Sequence, residues 1–379
     1  MPMAIDTSQL NVLHVLTLNG RNGEYGGPVR VARELCSELN ARGHTTQIFS
    51  GALRGSEPKP KPGLTESFVL VKPILRKLPV STLWSWALLA SLSKQIKRAD
   101  VVHIHFARDL IPFLATALSI LNRKPFVTQT HGMIISDGRL STRLIDFLFT
   151  RRLINKSRVN LVLSDTELTA VLALEIKSPC RVLPNGIAVN LNENNRKAPT
   201  NRVAFCSRLE KRKGIGKFIE LAYSFRNTGL KFEIYGPDGG ELLFVQSEIS
   251  SRNLTDNLEY KGSLQADEVQ RVLAEIDVLV LPSKDEPFPM VILEALAVGT
   301  PVLVMPSCGF SRKLKSFDQN FVAFAEDYDG LHYSFKVLQQ GKFLVDKRSE
   351  VQKFCNQIFG IAPVVDELES IYSEVAQYV

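Results

Sequence analysis

The sequence predicts two doubly wound α/β domains in tandem. Three observations carry this. Short apolar runs alternate with segments of helical apolar spacing through residues 1–189. Asn190 to Asn201 (NLNENNRKAPTN) is polar and almost devoid of large apolar residues, which makes it a linker. After it the same alternation restarts and continues to about residue 360. Strands separated by helices imply parallel sheets with right-handed crossovers.

Val12 to Leu18 is a short apolar run of the kind that forms a buried parallel strand. A polar, glycine-rich loop follows over Asn19 to Pro28. Val29, Ala32, Leu35, Cys36 and Leu39 then recur at helical spacing, and Gly43 stops that helix. Gln47-Ile48-Phe49 begins the next strand, and Asp100–Phe106, Pro125–Thr130, Val159–Ser164 and Cys180–Leu183 are further runs of the same kind. In the second half strands are expected at Val203–Cys206, Lys231–Tyr235, Leu258–Lys261, Val278–Leu281 and Pro301–Met305. Helices are expected at Lys213–Phe225, Gly239–Ser251, Ala266–Glu275 and Met290–Val298. The division is therefore 1–189, a linker at 190–201, a second domain at 202–360, and a last helix in 361–379 that crosses back to the first domain. Ligands of open α/β sheets bind outside the carboxyl ends of the strands, so two such edges facing each other make one interdomain cleft.

The 379 residues are 45% hydrophobic and 22% charged, too apolar for a disordered chain. Five cysteines without a CxxC pair exclude a dense disulfide framework and a cysteine-cluster zinc site. The opening MPMAIDTSQL carries no apolar core, so no secretory signal and a cytoplasmic location are expected. The most apolar window, Leu110 to Leu121, is too short to span a bilayer. Charge is uneven: residues 1–190 carry 24 Lys+Arg against 13 Asp+Glu, a net of +11, whereas the whole chain is +7. A basic first half points to an anionic partner. Leu83 to Ala90 holds both tryptophans, with Arg76 and Lys77 before it and Lys94, Lys97 and Arg98 after it. Such a segment can lie on an anionic membrane surface, or be a core helix with a solvated end. Nucleic acid is not expected as a partner, because no helix-turn-helix, zinc finger or ribonucleoprotein motif is present.

The residues that carry chemistry cluster at strand ends. Ser283 to Val302 (SKDEPFPMVILEALAVGTPV) follows the strand Val278–Leu281. Pro287 and Pro289 keep the chain extended and mark a helix start near Met290 and Val291. A helix N-terminus there is an anion site suited to a diphosphate. Glu286 lies in the loop before it, able to accept from sugar hydroxyls, and Glu294 one turn in, able to take ribose hydroxyls. The run Cys206 to Gly214 ends a strand and opens a helix, and Arg208 and Lys213 there offer donors to phosphate oxygens. Gly26-Gly27 lies in the first strand-to-helix loop, where backbone N–H groups can approach a phosphate. His131 follows the strand Pro125–Thr130. His103 and His105, two apart on one strand, share a face, but no third ligand is in sight and no metal is expected. P-loop, G-x-G-x-x-G and G-x-S-x-G patterns are absent.

The Ser283–Val302 stretch resembles the E-x7-E signature of the retaining GT-B glycosyltransferases of group 1, family 4. Ser283, Glu286, Pro287, Phe288, Pro289, Glu294, Ala295, Gly299, Pro301 and Val302 match it. Arg208-Leu209 with Lys213-Gly214 resembles the family's pyrophosphate-binding segment, Gly26-Gly27 its glycine loop, and Thr130-His131-Gly132 its histidine beside the donor sugar. The resemblance implies a GT-B fold and metal-independent transfer of a sugar from a nucleotide diphosphate donor, UDP or GDP, with no further cofactor. It implies His131, Glu286, Arg208 and Lys213 as catalytic residues. The donor contacts would be Gly26, Gly27, Arg208, Lys213, Glu286, Phe288, Pro289, Met290, Val291 and Glu294. By association it implies a glycan or lipid-linked acceptor in bacterial surface polysaccharide assembly, with the enzyme peripheral at the inner membrane face. Two departures stand. The family's Asp after Pro184-Asn185-Gly186-Ile187 is Ala188, and only Gly309 remains of a Gly-Gly pair whose second place is Phe310. They keep a non-catalytic module open as an alternative, beside a nucleotide-sugar epimerase of the same fold.

Overall fold

The computed structural model describes residues 9–21, 26–74, 82–134, 138–189, 198–309, 311–315, 322–324 and 327–377. The chain divides into two compact units, Met1–Gly186 with Ile361–Val379, and Ile187–Gly360. Positions 190–197 of the expected linker lie outside the described residues.

In the first unit the strands are β1 (Asn11–Leu18), β2 (Thr45–Ala52), β3 (Thr65–Leu70), the short antiparallel pair β4 (Lys72–Pro73) and β5 (Leu83–Trp84), β6 (Val101–His105), β7 (Phe126–Gln129), β8 (Val159–Val162) and β9 (Cys180–Val182). Seven of them form one parallel sheet in the order β3-β2-β1-β6-β7-β8-β9. Chain order reverses between β1 and β6, which is where such sheets open a crevice at their carboxyl ends. β6, β7 and β8 are buried at every position, as strands covered on both faces must be. β3 was not expected from sequence: TESFVL is half-buried or exposed at every position at the sheet edge and lacks the apolar run that marks the inner strands.

Helix Trp86–Arg98 decides between the two readings of the tryptophan segment. Ser85 caps it, accepting from Leu88 N–H at 3.2 Å. Leu88, Leu92 and Ile96, four residues apart, are buried in the first unit's core, so most of the segment is a core helix. Trp86 at its start is 79% exposed and meets Trp84 edge-on at 5.6 Å. Ile361–Ala376, the last helix, belongs to the first unit. It buries Val364, Val365, Leu368, Ile371, Tyr372 and Val375, and Arg42 reaches it through Asp366 and Glu369.

In the second unit β10 (Arg202–Cys206), β11 (Lys231–Tyr235), β12 (Leu258–Gly262), β13 (Val278–Leu281), β14 (Val302–Val304) and β15 (Val322–Phe324) form a parallel sheet in the order β12-β11-β10-β13-β14-β15. The reversal here is between β10 and β13. Helix Met290–Ala297 is buried over six consecutive residues, Ile292 to Ala297, so it is core on all sides. Gly299 ends the turn after it at φ 76°, and a Cβ there would lie 2.6 Å from the Arg348 carbonyl oxygen.

Candidate functional site

The second unit gathers its charged residues at the β10/β13 reversal. β10 runs into Ser207-Arg208-Leu209-Glu210, and a short 3-10 turn, Lys211–Lys213, leads into helix Ile215–Ser224. Gly214 joins turn to helix at φ 79°, and a Cβ there would lie 2.1 Å from the Pro282 carbonyl oxygen. Only glycine lets the two strand-end loops come this close. That approach brings Lys213 against Glu286. Lys213 Nζ donates to Glu286 Oε2, and both side chains are about nine-tenths buried, at 11% and 10% exposure. Arg212 Nη1 also reaches Glu286 Oε2, at 3.4 Å, while its Nε bonds Glu210 Oε2 at 3.0 Å. Arg212, which the motif did not single out, is thus a second cation on Glu286. Arg208 is half exposed, with Nε 3.5 Å from Glu210 Oε1.

The Glu286 loop is propped from below. Gly309 N–H donates to the Glu286 carbonyl at 2.8 Å, and a Cβ at 309 would lie 1.9 Å from the Pro287 carbonyl oxygen. This close approach explains the one glycine kept from the pair, whose second place, Phe310, lies outside the described residues. Asp285 turns at φ 51°, its N–H held by Ser307 Oγ at 3.1 Å. Pro289 is the cap of helix Met290–Ala297 and offers no side-chain acceptor to its first turn, which holds Met290 and Val291. Phe288 is 8% exposed and Glu294 4%, so both sit in the wall behind the loop. A cavity of about 460 Å³ is lined by Lys217, Pro282, Lys284, Met305, Pro306 and Ser307.

The first unit gathers histidines at its own reversal. His14 on β1 is in register with His103 on β6, and His105 with Gln129 on β7. Alternation along the strands puts these side chains on one face. His14 Nδ1 lies 3.1 Å from His105 Nε2, and His105 Nδ1 lies 2.7 Å from His131 Nε2. His103 bonds Tyr372 Oη at 2.6 Å through Nδ1 and Gln129 Oε1 at 3.1 Å through Nε2. Tyr372 Oη is 3.3 Å from His14 Nε2. The rings stack at 4.6 Å (His103–His105) and 5.0 Å (His105–His131). Burial pushes His103 and His131 down to about 3 and holds His14 and His105 well below the ordinary imidazole value, so all four are neutral. His14, His103 and His105 do place three ligand atoms within 4.8 Å of one another. Each of their nitrogens is already within hydrogen-bond reach of another ring, Tyr372 or Gln129. His14 was missed as a member of this group. Its signal was present: a polar ring in the middle of an otherwise apolar strand that neighbours the strand of His103 and His105.

His131 follows β7 at φ 49°, and Gly132 at φ 72°. Glu167, 1% exposed, holds that turn: its carboxylate accepts from Thr130 Oγ1, Gly132 N–H and Leu163 N–H. Gly26 opens helix Gly26–Ala41, three residues before the expected start, with Pro28 in the first turn where a missing N–H costs nothing. A Cβ at Gly27 would meet nothing within 4 Å. Positions 22–25 lie outside the described residues.

The sequence matches the family model for "Glycosyltransferase Family 4" over residues 25–191 and that for "Glycosyl transferases group 1" over residues 188–346. The chain belongs to the GT-B group 1 glycosyltransferases, and its activity is glycosyl transfer. It is 26% identical over 328 residues to a D-inositol 3-phosphate glycosyltransferase of Pseudarthrobacter chlorophenolicus, covering 77% of each chain. It is 26% identical over 182 residues, 45% of each chain, to the amylovoran biosynthesis glycosyltransferase AmsK of Erwinia amylovora. Among solved structures it resembles Anabaena HepE in complex with UDP, with a TM-score of 0.73 at 16% identity over 96% of this chain and 100% of that one.

Proposed function

We propose that the protein is a retaining glycosyltransferase that takes its sugar from a nucleotide diphosphate donor. The observation that carries this is the Lys213–Glu286 pair at the β10/β13 reversal, directly before a helix N-terminus whose cap residue brings no side-chain acceptor. In the free protein the Glu286 carboxylate neutralises Lys213. A diphosphate arriving at the helix N-terminus offers Lys213 and Arg208 stronger anionic oxygens and releases Glu286 for the sugar hydroxyls. The two cations then offset charge on the departing nucleotide, the work a divalent ion does in other transferases, so no metal is needed. Glu294 takes the ribose and His131 a sugar hydroxyl. No carboxylate is needed as a nucleophile, because the leaving phosphate deprotonates the acceptor hydroxyl on the same face and the configuration is retained. UDP is the favoured donor nucleotide, supported by the UDP held by Anabaena HepE. Thermal shift against UDP, GDP, ADP and dTDP tests donor binding, since a ligand at 100 times its dissociation constant stabilises by about 2.7 kcal/mol. NMR of the product's anomeric proton tests retention. No shift with any nucleotide, or a donor altered without an acceptor, would replace this reading with the non-catalytic module or the epimerase.

We further infer an acceptor on an anionic membrane, as in bacterial surface polysaccharide assembly, with a cytoplasmic enzyme peripheral to the bilayer. The amylovoran relative agrees with this setting. So does the polarity of residues 140–154. Their buried stripe is Thr142, Asp146, Thr150 and Ile154, with Asp146 paired to Arg108 at 2.7 Å, while Leu140, Leu144, Phe147 and Phe149 are each more than half exposed. An apolar outer face flanked by Arg139, Arg143, Arg151 and Arg152 fits anionic headgroups better than water. Among the described residues no helix is long and apolar enough to cross a membrane. Cosedimentation with phosphatidylcholine vesicles, with and without phosphatidylglycerol, should show binding only to the anionic ones and its loss in L144E/F147E. Equal binding to both, or none, would refute membrane docking.

A further inference from the structure

The first unit's histidines form a single unbranched chain of hydrogen bonds. It runs from Gln129 Oε1 to His103 Nε2, from His103 Nδ1 to Tyr372 Oη, on to His14 Nε2, from His14 Nδ1 to His105 Nε2, and from His105 Nδ1 to His131 Nε2. Each neutral imidazole carries one proton, so one nitrogen donates and the other accepts. The end of the chain therefore decides its direction. Gln129 Oε1 accepts only, so His103 Nε2 carries the proton and His103 Nδ1 accepts from the Tyr372 hydroxyl. Tyr372, already donating, accepts from His14 Nε2–H. His14 Nδ1 then accepts from His105 Nε2–H, and His105 Nδ1 from His131 Nε2–H. The last ring is left with a bare Nδ1, which makes no hydrogen bond among the described residues. His14, His103 and His105 are buried at 1% exposure or less and Tyr372 is fully buried, so water does not interrupt the chain.

We propose that Gln129, acting through Tyr372, is a positioning residue that fixes His131 as the Nε2–H tautomer, so that His131 presents Nδ1 as an acceptor to a substrate hydroxyl. This rests on the reading of His131 as the sugar-facing imidazole. A phosphate oxygen, itself only an acceptor, is turned away from this ring. The last helix gains a role as well. It brings Tyr372 from the end of the chain to join the two halves of the relay. Gln47 and Glu66, on the neighbouring strands β2 and β3, are not members of it.

Two-bond ¹H–¹⁵N NMR of protein labelled at histidine reads the tautomers directly, with His131→Asn assigning the resonance. In the wild type, His14, His103, His105 and His131 should all be Nε2–H. Tyr372→Phe cuts the relay: His103 should stay Nε2–H while His131 becomes a mixture with Nδ1–H. Gln129→Leu should release His131 in the same way, and Gln129→Glu, which keeps an acceptor at the end, should restore it. Circular dichroism establishes which variants fold, and the two Gln129 variants carry the test if Tyr372→Phe does not. Nδ1–H at His131 in the wild type, an unchanged His131 in both Tyr372→Phe and Gln129→Leu, or stoichiometric zinc in the purified protein would overturn the proposal. A kinetic arm separates it from the proposed function. Where transfer is measurable, Gln129→Leu should lower kcat about tenfold, the worth of one misdirected hydrogen bond, with KM for the donor little changed. An unchanged kcat with an altered tautomer would refute the hydroxyl-acceptor role. Absence of transfer in the wild type would instead refute the transferase reading and leave the relay standing on its NMR signature.

Discussion

Glu167 grips the residues on both sides of His131. One carboxylate oxygen, Oε1, takes the Thr130 hydroxyl and the Gly132 N–H, while Oε2 takes Leu163 N–H. Three donors converge on a side chain that is 1% exposed; burial raises the pKa of its carboxyl, and the three hydrogen bonds oppose that rise only in part. Arg108 supports the same turn from the far side, donating to the Met133 and Ile134 carbonyls at 3.0 and 2.7 Å.

Glu167→Gln should therefore be more damaging than its shape suggests. Its amide can keep two donors on the remaining oxygen, but it must then turn an NH₂ toward Leu163 N–H. A buried donor left facing a donor costs about 1–3 kcal/mol. Urea denaturation should show that loss for the Gln variant and a larger one for Glu167→Ala. A donor-sugar KM that rises in both would place the damage at His131. A Gln variant as stable as the wild type would show that the three donors do not depend on the carboxylate.

Lys213→Ala and Glu286→Ala should each lower kcat by about 10²–10³, the loss typical of one preorganised charge-stabilising group. Their stabilities should differ. With Lys213 gone, Glu286 still has Arg212 at 3.4 Å. With Glu286 gone, Lys213 is a cation at 11% exposure without its carboxylate, and an uncompensated buried charge costs about 3–5 kcal/mol. Thermal melts should rank Glu286→Ala below Lys213→Ala. The reverse order would mean that Arg212 does not share Glu286 in solution, and near-normal turnover in either variant would remove that residue from the mechanism.

How far this was legible in the sequence follows from where the information lies. The Glu286 and Lys213 segments were visible because each is a contiguous run at a strand end. Their pairing was not, since it depends on Gly214 letting the Pro282 carbonyl approach. The histidine relay was half legible. His103, His105 and His131 stood out, but His14 joins only through the register of β1 on β6, and Tyr372 arrives from a helix 269 residues away from His103. Glu167 was hidden for another reason: Ser164-Asp165-Thr166-Glu167 has the pattern of a capping box. Ser164 does accept from Glu167 N–H at 3.2 Å, but the carboxylate has left the cap for the His131 turn. β3 escaped because an edge strand needs no continuous apolar run, and Thr65–Leu70 is half-buried or exposed at every position.

Gly214→Ala should uncouple the two strand-end loops. The residue sits at φ 79°, and an added Cβ would come within 2.1 Å of a backbone oxygen that no rotamer change can move. The left-handed conformation alone costs an alanine about 1 kcal/mol or more, and the clash must shift the loop of Lys213 or that of Pro282. Either shift separates Lys213 from Glu286. The variant should melt lower than the wild type and lose its thermal response to nucleotide, whereas Gly27→Ala, which meets nothing within 4 Å, should melt normally. A Gly214→Ala protein that still responds to nucleotide would show that the pair does not need this approach.

Acid should unfold the first unit early. His103 and His131 sit near 3, and His14 and His105 well below the ordinary value, because burial penalises their charged forms. In the unfolded chain each returns to about 6.5. Above that value both states are neutral and the histidines contribute no pH dependence. As pH falls through 6.5 toward 3, the unfolded state takes up protons that the native state refuses. Stability is then lost by up to about 1.4 kcal/mol per pH unit for each histidine. Urea midpoints measured from pH 8 to pH 4.5 should be flat down to about 6.5 and then fall steeply. His105→Gln, which removes one of the four rings, should have a shallower slope below 6.5. A midpoint that stays constant to pH 5 would mean that these rings accept protons in the native state, and that the neutral chain from Gln129 to His131 does not persist in solution.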